Sequence, residues 1–360
     1  MDIKELGWNE FHEKNFNEIK TDTIFPARVA KAQREKYALY SSFGELKAEI
    51  KGKLRFTAGS LSEFPVVGDW VAATMRPEGG SAVIESIMPR KSKISRKIAG
   101  NAAEEQVLTA NIDTVFMVNG LDGDYNIRRI ERYLALAWES HIKPVIVLNK
   151  TDMCPDFREN IKEVESAASG IPIIALSAFN GEGIEKIGEY IKAGSTIAFL
   201  GSSGVGKSTI INRLLGEERQ EVGAVREHDS RGRHITTHRE LILLPGGGIV
   251  IDNPGLRELQ LWINEAALDT TFNDIRELAE QCQFGDCGHT NEPKCAVRSA
   301  IENGQLDSKR FQAYLKLKKE QRYLATRKEA KSRNTKIITE KKISILSKQI
   351  SRHRKINWDH

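Results

Sequence analysis

Cysteine is scarce, with 4 residues in 360. That count excludes a disulfide framework and leaves metal ligation or free thiols as the uses of these side chains. No apolar run approaches the ~20 residues that cross a bilayer. The N-terminus, Met1-Asp2-Ile3-Lys4-Glu5, lacks the apolar stretch of a signal peptide. The expectation is a cytoplasmic protein. No internal repeat is present, and the motifs of a protein kinase are missing. What remains is ordinary for a globular chain: 40% hydrophobic and 29% charged residues, in a length that suits two to three domains.

Acidic charge is nearly absent from one end. Residues 309–360 hold 17 Lys/Arg against 4 Asp/Glu, a balance of +13, while the whole chain carries only +5. The other 308 residues therefore sum to −8. A basic tail on an otherwise acidic protein points to a polyanionic partner such as RNA.

Several short extended runs lie before residue 90: Phe25 to Ala30, Lys36 to Tyr40, Glu45 to Ile50, Phe64 to Val71 and Ser81 to Ile87. Turn signals at 41–44 and 51–53 follow the second and third of these runs. About five strands in this length fit a small barrel, OB-like or SH3-like. From about Asn111 strands alternate with helices. Thr114 to Val118, Pro144 to Leu148, Ile171 to Leu176, Thr196 to Leu200 and Gly248 to Ile251 read as buried parallel strands, and Ile127 to Ser140 as a helix. The expected organisation is an N-terminal extension (1–20), an OB-fold-like barrel (21–90), a basic linker (91–108), an α/β domain (109–262), a mostly helical zinc-binding module (263–315) and a basic helical or disordered tail (316–360).

Each motif of the α/β domain follows a strand, where ligands bind in open α/β sheets. Gly201-Ser202-Ser203-Gly204-Val205-Gly206-Lys207-Ser208-Thr209 has the pattern G-x-x-x-x-G-K-[ST]. Its glycines let backbone N–H groups wrap phosphates at a helix N-terminus. Lys207 reaches the β/γ-phosphates and Ser208 offers a hydroxyl to Mg²⁺. Asp252-Asn253-Pro254-Gly255 fits D-x-x-G, with Asp252 on Mg²⁺ through a water and the Gly255 N–H on the γ-phosphate. Asn149-Lys150-Thr151-Asp152 is the N-K-x-D signature of a guanine site. The Asp152 carboxylate accepts from guanine N1–H and N2–H, and adenine would leave it unsatisfied. The Lys150 stem packs over the base, and Ser177-Ala178 supplies an N–H to guanine O6.

These are the parts of a GTPase, but N-K-x-D precedes the phosphate loop. The order is circularly permuted. Between phosphate loop and D-x-x-G lies Arg231-Gly232-Arg233-His234-Ile235-Thr236-Thr237-His238. A switch threonine is needed there to meet Mg²⁺ and read the γ-phosphate; Thr236 is chosen, with Thr237 the alternative. Leu256 stands where Ras-like enzymes place a water-orienting glutamine. Hydrolysis alone should be slow and should need His234 or a group from a partner.

Cys282-x4-Cys287-x-His289-x5-Cys295 gives three thiolates and one imidazole, a closed tetrahedral set for one structural Zn²⁺. Cys154 stands far off as a free thiol.

The permuted order, the barrel before it and the Cys₃His module after it resemble the ribosome small-subunit-dependent GTPase family of RsgA type. The resemblance spans about residues 20–315. It includes Pro65 to Val71, Ala110-Asn111-Ile112-Asp113 and Gly232-Arg233-His234. It implies a monomeric GTPase, converting GTP to GDP and phosphate, that binds the maturing small ribosomal subunit and its rRNA and leaves after hydrolysis. In the family a histidine matching His234 assists hydrolysis. The chain departs at Asn253, where the family usually has threonine, and at Ile235, which separates His234 from the threonines. The competing reading is a GTP-regulated RNA-binding scaffold with little intrinsic hydrolysis.

Overall fold

Asn9 caps the first helix, α1 (Glu10–Asn17), its side chain accepting from the Phe11 and His12 N–H groups. In the computed structural model, which describes residues 1–33, 35–98, 101–217, 239–252, 264–323 and 326, Leu6, Trp8 and Phe16 pack on Trp70 and Met88. Then come β1 (Ile24–Gln33), β2 (Lys36–Ser41), β3 (Gly44–Ile50), the short helix α2 (Gly52–Thr57), β4 (Trp70–Met75) and β5 (Ser81–Ile87). Tyr37 and Leu39 of β2 and Leu46 and Ala48 of β3 point inward at period two, against Ala27, Val29 and Ile84. The strand order is β1-β2-β3-β5-β4, and β1 also pairs with β4, which closes the barrel. This closed five-stranded Greek-key order is the OB-type arrangement rather than the SH3-like one.

Two segments differ from the sequence reading. Residues 64–69 form a buried turn rather than a strand, which begins only at Trp70. Gly68 sits at φ 92, and an added Cβ would strike the Ala110 carbonyl. The Asp69 carboxylate, fully buried, accepts from the Val66 N–H at 2.8 Å and pairs with Arg90 at 2.8 Å. The segment read as a basic linker folds as a hairpin, β6 (Lys93–Ile98) against β7 (Asn101–Ala110). Its polar side chains find partners across the pair, Lys93 with Glu105 at 2.7 Å and Arg96 with Gln106 at 2.9 Å, so a charged segment runs as a strand.

The α/β domain contains β8 (Thr114–Gly120), α3 (Ile127–Glu139), β9 (Lys143–Asn149), α4 (Arg158–Ala167), β10 (Ile173–Leu176), α5 (Glu185–Gly188), β11 (Thr196–Leu200), α6 (Lys207–Leu215), β12 (Glu240–Leu243) and β13 (Ile249–Asp252). The sheet runs β10-β9-β8-β11-β13-β12, parallel except for β12. β8 and β11 are buried throughout, as a sheet covered on both faces requires. The sheet does not stop at the domain: β12 pairs with β1 through Lys31 and Glu240, whose side chains meet at 3.1 Å.

Arg28, on β1, fastens the same junction. Its guanidinium is 1% exposed and donates to the Leu6, Gly68 and Asn111 carbonyls and to Thr196 Oγ1 at 2.8 Å. One side chain thus ties the N-terminal extension and the barrel to the first residue of β11.

The C-terminal module contains α7 (Glu265–Thr271), α8 (Asn273–Ala279), α9 (Ala296–Glu302) and helical residues 308–323. Leu268, Phe272, Ile275, Val297, Phe311 and Tyr314 join the core beneath α3, so the module is held by apolar packing as well as by its Cys₃His set. Most of the basic tail lies outside the described residues. No helix among the described residues is long and apolar enough to cross a membrane.

Candidate nucleotide site and metal centre

Four parallel strands bring the motifs to one edge of the sheet. β9 ends at Asn149, beside Gly120 of β8 and Leu176 of β10. β11 ends at Leu200 and opens the phosphate loop, while its neighbour β13 ends at Asp252. The loop bends through Gly201, Gly204 and Gly206, all at positive φ, into α6, whose first turn holds Lys207, Ser208 and Thr209. An added Cβ on Gly201 would stand 2.5 Å from the Val118 carbonyl, and one on Gly206 would strike the Asn149 amide. Glycine is therefore required there by close approach as well as by φ. The Lys207 ammonium donates to the Gly201 and Ser202 carbonyls at 2.9 and 2.6 Å, which lays its stem across the mouth of the loop. Val205 is buried, while Ser203 and Gly204 are exposed at the tip.

Asn149 is a structural hub. Its Nδ2 donates to the Val205 carbonyl at 2.8 Å, and its Oδ1 accepts from the Ala178 N–H at 2.9 Å. The asparagine of N-K-x-D thereby fixes the phosphate loop relative to Ser177-Ala178. Ser177 Oγ donates to Asp152 at 2.5 Å and accepts from the Asn180 N–H, which orients the Asp152 carboxylate. Lys150 occupies the left-handed region at φ 68. His234, Thr236, Thr237, Gly255 and Leu256 lie outside the described residues.

Sequence reasoning missed the loop between β8 and α3. Asp122 pairs with the Lys150 ammonium at 2.5 Å. Asp124 accepts from Ser202 Oγ and pairs with Arg129 at 2.7 Å, and Arg129 also donates to Ser202 Oγ at 3.0 Å. Desolvation opposes ionisation at both carboxylates. The hydrogen bonds from Lys150 to Asp122, and from Arg129 and Ser202 to Asp124, outweigh it and hold both below the ordinary carboxylate range. Two carboxylates flanking a glycine just past a strand end, in Leu121-Asp122-Gly123-Asp124, were the available signal.

Cys282, Cys287, His289 and Cys295 each present a ligand atom, all within 4.8 Å of one another. A tetrahedral ion with metal–sulfur bonds of ~2.3 Å and metal–nitrogen bonds of ~2.0 Å has edges of about 3.8 Å between sulfurs and about 3.5 Å from sulfur to nitrogen. The observed separations are 3.9 Å from Cys282 Sγ to Cys295 Sγ, and 3.6 and 3.5 Å from these to His289 Nδ1. These three edges fit a tetrahedral metal, and Cys287 Sγ, within 4.8 Å of the other three, supplies the fourth ligand atom of the group. Glu292 shapes the loop that carries His289: its carboxylate accepts from the Gly288, Thr290 and Asn291 N–H groups at 3.0, 2.8 and 3.0 Å.

Comparison with known proteins decides the family. The model of the RsgA GTPase family matches residues 87–262. A protein of Opitutus terrae named small ribosomal subunit biogenesis GTPase RsgA is 46% identical over 336 residues, covering 91% of this chain and 92% of its own. The chain belongs to the RsgA GTPase family. Among solved structures, YjeQ from Thermotoga maritima matches with a TM-score of 0.60 at 28% identity, covering 83% of this chain and 98% of that one. YloQ, described as a circularly permuted GTPase, matches with a TM-score of 0.58 at 23% identity over 84% of this chain and 96% of its own, and so shares the fold. As in other RsgA GTPases, the protein's activity is GTP hydrolysis, and the permuted motif order read from the chain is the order that the fold accommodates.

Proposed function

We propose that this GTPase acts in maturation of the small ribosomal subunit, in the cytoplasm and as a monomer, converting GTP to GDP and phosphate while bound to the subunit's rRNA and leaving afterwards. The observation that carries the reading is the junction of a guanine and phosphate site with two appendages at one sheet: an OB-type barrel joined through β1–β12 and a Cys₃His module packed under α3. The relatives' names supply the partner. In this reading Asp152 selects guanine, with Asn149, Lys150, Ser177 and Ala178 around the base. Gly201 to Thr209 cradle the phosphates, Lys207 stabilises charge on the β/γ-phosphates, and Gly255 reads the γ-phosphate. Ser208, Thr236 and Asp252 hold Mg²⁺, whose chemistry is to neutralise developing phosphate charge. His234 assists attack by water. Cys282, Cys287, His289 and Cys295 hold one structural Zn²⁺.

The test is GTP turnover with and without purified small subunits across a salt series. Stimulation that fades as salt rises is expected, because docking on RNA releases counterions. A nonhydrolysable GTP analogue should trap the protein on the subunit. Turnover indifferent to the subunit, with the same release under either nucleotide, would overturn the reading in favour of a GTP-regulated scaffold.

A further inference from the structure

The motifs explain the base side and the phosphate side of the site but not what sets the distance between them. Asn149 is one tie, through Val205 and Ala178. The loop Leu121–Asn126 is a second, and no motif includes it. It leaves β8 at Gly120, where an added Cβ would stand 2.6 Å from Asp122 Oδ1, so the chain turns back sharply over its own strand end. The Leu121 N–H bonds the Asn149 carbonyl at 2.8 Å, anchoring the loop root to the guanine motif. From that root two carboxylates diverge. Asp122 reaches Lys150, whose stem flanks the base position; Asp124 reaches Ser202, the second residue of the phosphate loop. The Asp124 N–H donates to Asp122 Oδ1 at 3.1 Å, which holds the Asp122 carboxylate against the loop main chain. Arg129, in the first turn of α3, closes the phosphate side with bonds to Asp124 and Ser202.

We propose that Asp122, Asp124 and Arg129 are positioning residues that brace Lys150, the lysine of the guanine motif, against the phosphate loop. Asp122 holds the Lys150 ammonium so that its stem lies along the base plane. Asp124 and Arg129 hold Ser202 so that the glycine-rich loop is shaped before phosphate arrives. A loop with glycines at three positions loses much freedom on ordering, and bracing it beforehand removes that cost from binding. The proposal rests on the guanine-nucleotide reading of the site.

The test is nucleotide affinity of the full-length protein, with fluorescent GDP and GTP and with unlabelled GMP and guanosine as competitors. The variants are Asp122→Asn, Asp124→Asn, Ser202→Ala, Arg129→Met and Arg129→Lys, each with its thermal midpoint. Losing a charge-assisted hydrogen bond at a half-buried site is expected to weaken binding on the order of tenfold. Asp122→Asn should weaken guanosine, GMP and GDP alike. Asp124→Asn and Ser202→Ala should spare guanosine and weaken GDP and GTP. The double variant should be no worse than either single one, and Arg129→Lys should recover part of what Arg129→Met loses. Unchanged affinities, or losses that add and follow the thermal midpoint for every ligand, would overturn the brace. If the wild-type protein itself failed to prefer guanine nucleotides, the site reading would fall instead, so the two failures are distinct.

Discussion

Replacing Arg310 by methionine should destabilise the C-terminal module by about 3 kcal/mol. Arg310 lies where the module meets α3. It donates to Glu131 at 2.5 Å, to Asp274 at 2.8 Å and to the Ala167 and Thr271 carbonyls, with its guanidinium 5.0 Å from the Phe272 ring centroid. Glu131 is 0% exposed, so its charge cannot turn to water when a partner is removed. Burial raises its pKa even against the nearby positive charges of Arg310 and Arg128. Deleting one partner of such a buried pair costs ~3–5 kcal/mol. Arg128 remains 2.7 Å from Glu131 and Asp274 is half exposed, which places the loss at the lower end of that range.

The same logic predicts that Arg310→Met with Glu131→Met regains most of the loss. No buried charge is then left unpaired, and an apolar pair of similar volume is often neutral. The assay is thermal and urea unfolding of the four proteins of the double-mutant cycle, with amide exchange over α7 to α9 to localise the change. A single-variant loss below about 0.5 kcal/mol, or a double variant worse than Arg310→Met alone, would show that the junction rests on apolar packing and not on this pair.

Burial first, then the positive charges of Arg28 and Lys91, lower the His12 imidazole to about 4. The folded protein keeps it neutral while the unfolded chain protonates, so stability is complete above about pH 6.5 and declines as pH falls towards 4, by at most ~1.4 kcal/mol per unit. His12→Phe should flatten the thermal midpoint over that window; an unchanged slope would assign the acid sensitivity to other groups. Cys287→Ser should lower bound zinc measured by native mass spectrometry and loosen the module, while guanine-nucleotide affinity holds; full zinc retention against a chelator would remove Cys287 from the ligand set. Gly206→Ala, which combines φ 103 with a strike on Asn149, should weaken GDP binding at least ~10-fold and also lower the thermal midpoint; unchanged GDP affinity would show that the loop tolerates a side chain there. Asp152→Asn should weaken GTP binding and favour xanthine nucleotides, and equal GTP affinity would undo the base assignment.

The sequence disclosed what is set by local chemistry. Strand runs of apolar residues, such as Val115 to Val118, could only be buried, and the glycine, lysine and aspartate motifs fell at the strand ends. The Cys₃His spacing likewise contained its geometry, because a four-ligand cluster within 14 residues has few ways to close. What stayed hidden was set by distant partners. Arg96 and Lys97 read as a charged connector because the strand they pair with, β7, was not visible in the local pattern. Pro65 to Asp69 read as extended because nothing nearby announces that Arg90 waits 21 residues on to pair with Asp69. Asp122, Asp124 and Arg129 went unremarked because their targets, Lys150 and Ser202, are fixed only once β8, β9 and β11 lie side by side.

The permutation also acquires a physical sense from the strand order. β12 and β13 flank the two segments in which a GTPase senses its γ-phosphate: 218–238 leads into β12, and Asp252 closes β13. In this chain β12 is also the strand that pairs with the barrel, through Lys31 and Glu240. The chain leaving β13 runs to α7, which packs on α3, where the Asn264 N–H meets Glu139 at 3.0 Å. Each of these two strands is therefore joined to a different appendage, one by a ladder and one by covalent continuity. A GTPase whose chain began at the phosphate loop would have its ends elsewhere, and the C-terminal module would hang from a strand far from D-x-x-G. Cutting the fold where this chain is cut places the module next in the chain after Asp252, the last residue of β13. β13 thus lies between β11 and the strand that pairs with the barrel, and α7 is the next described helix after it in the chain.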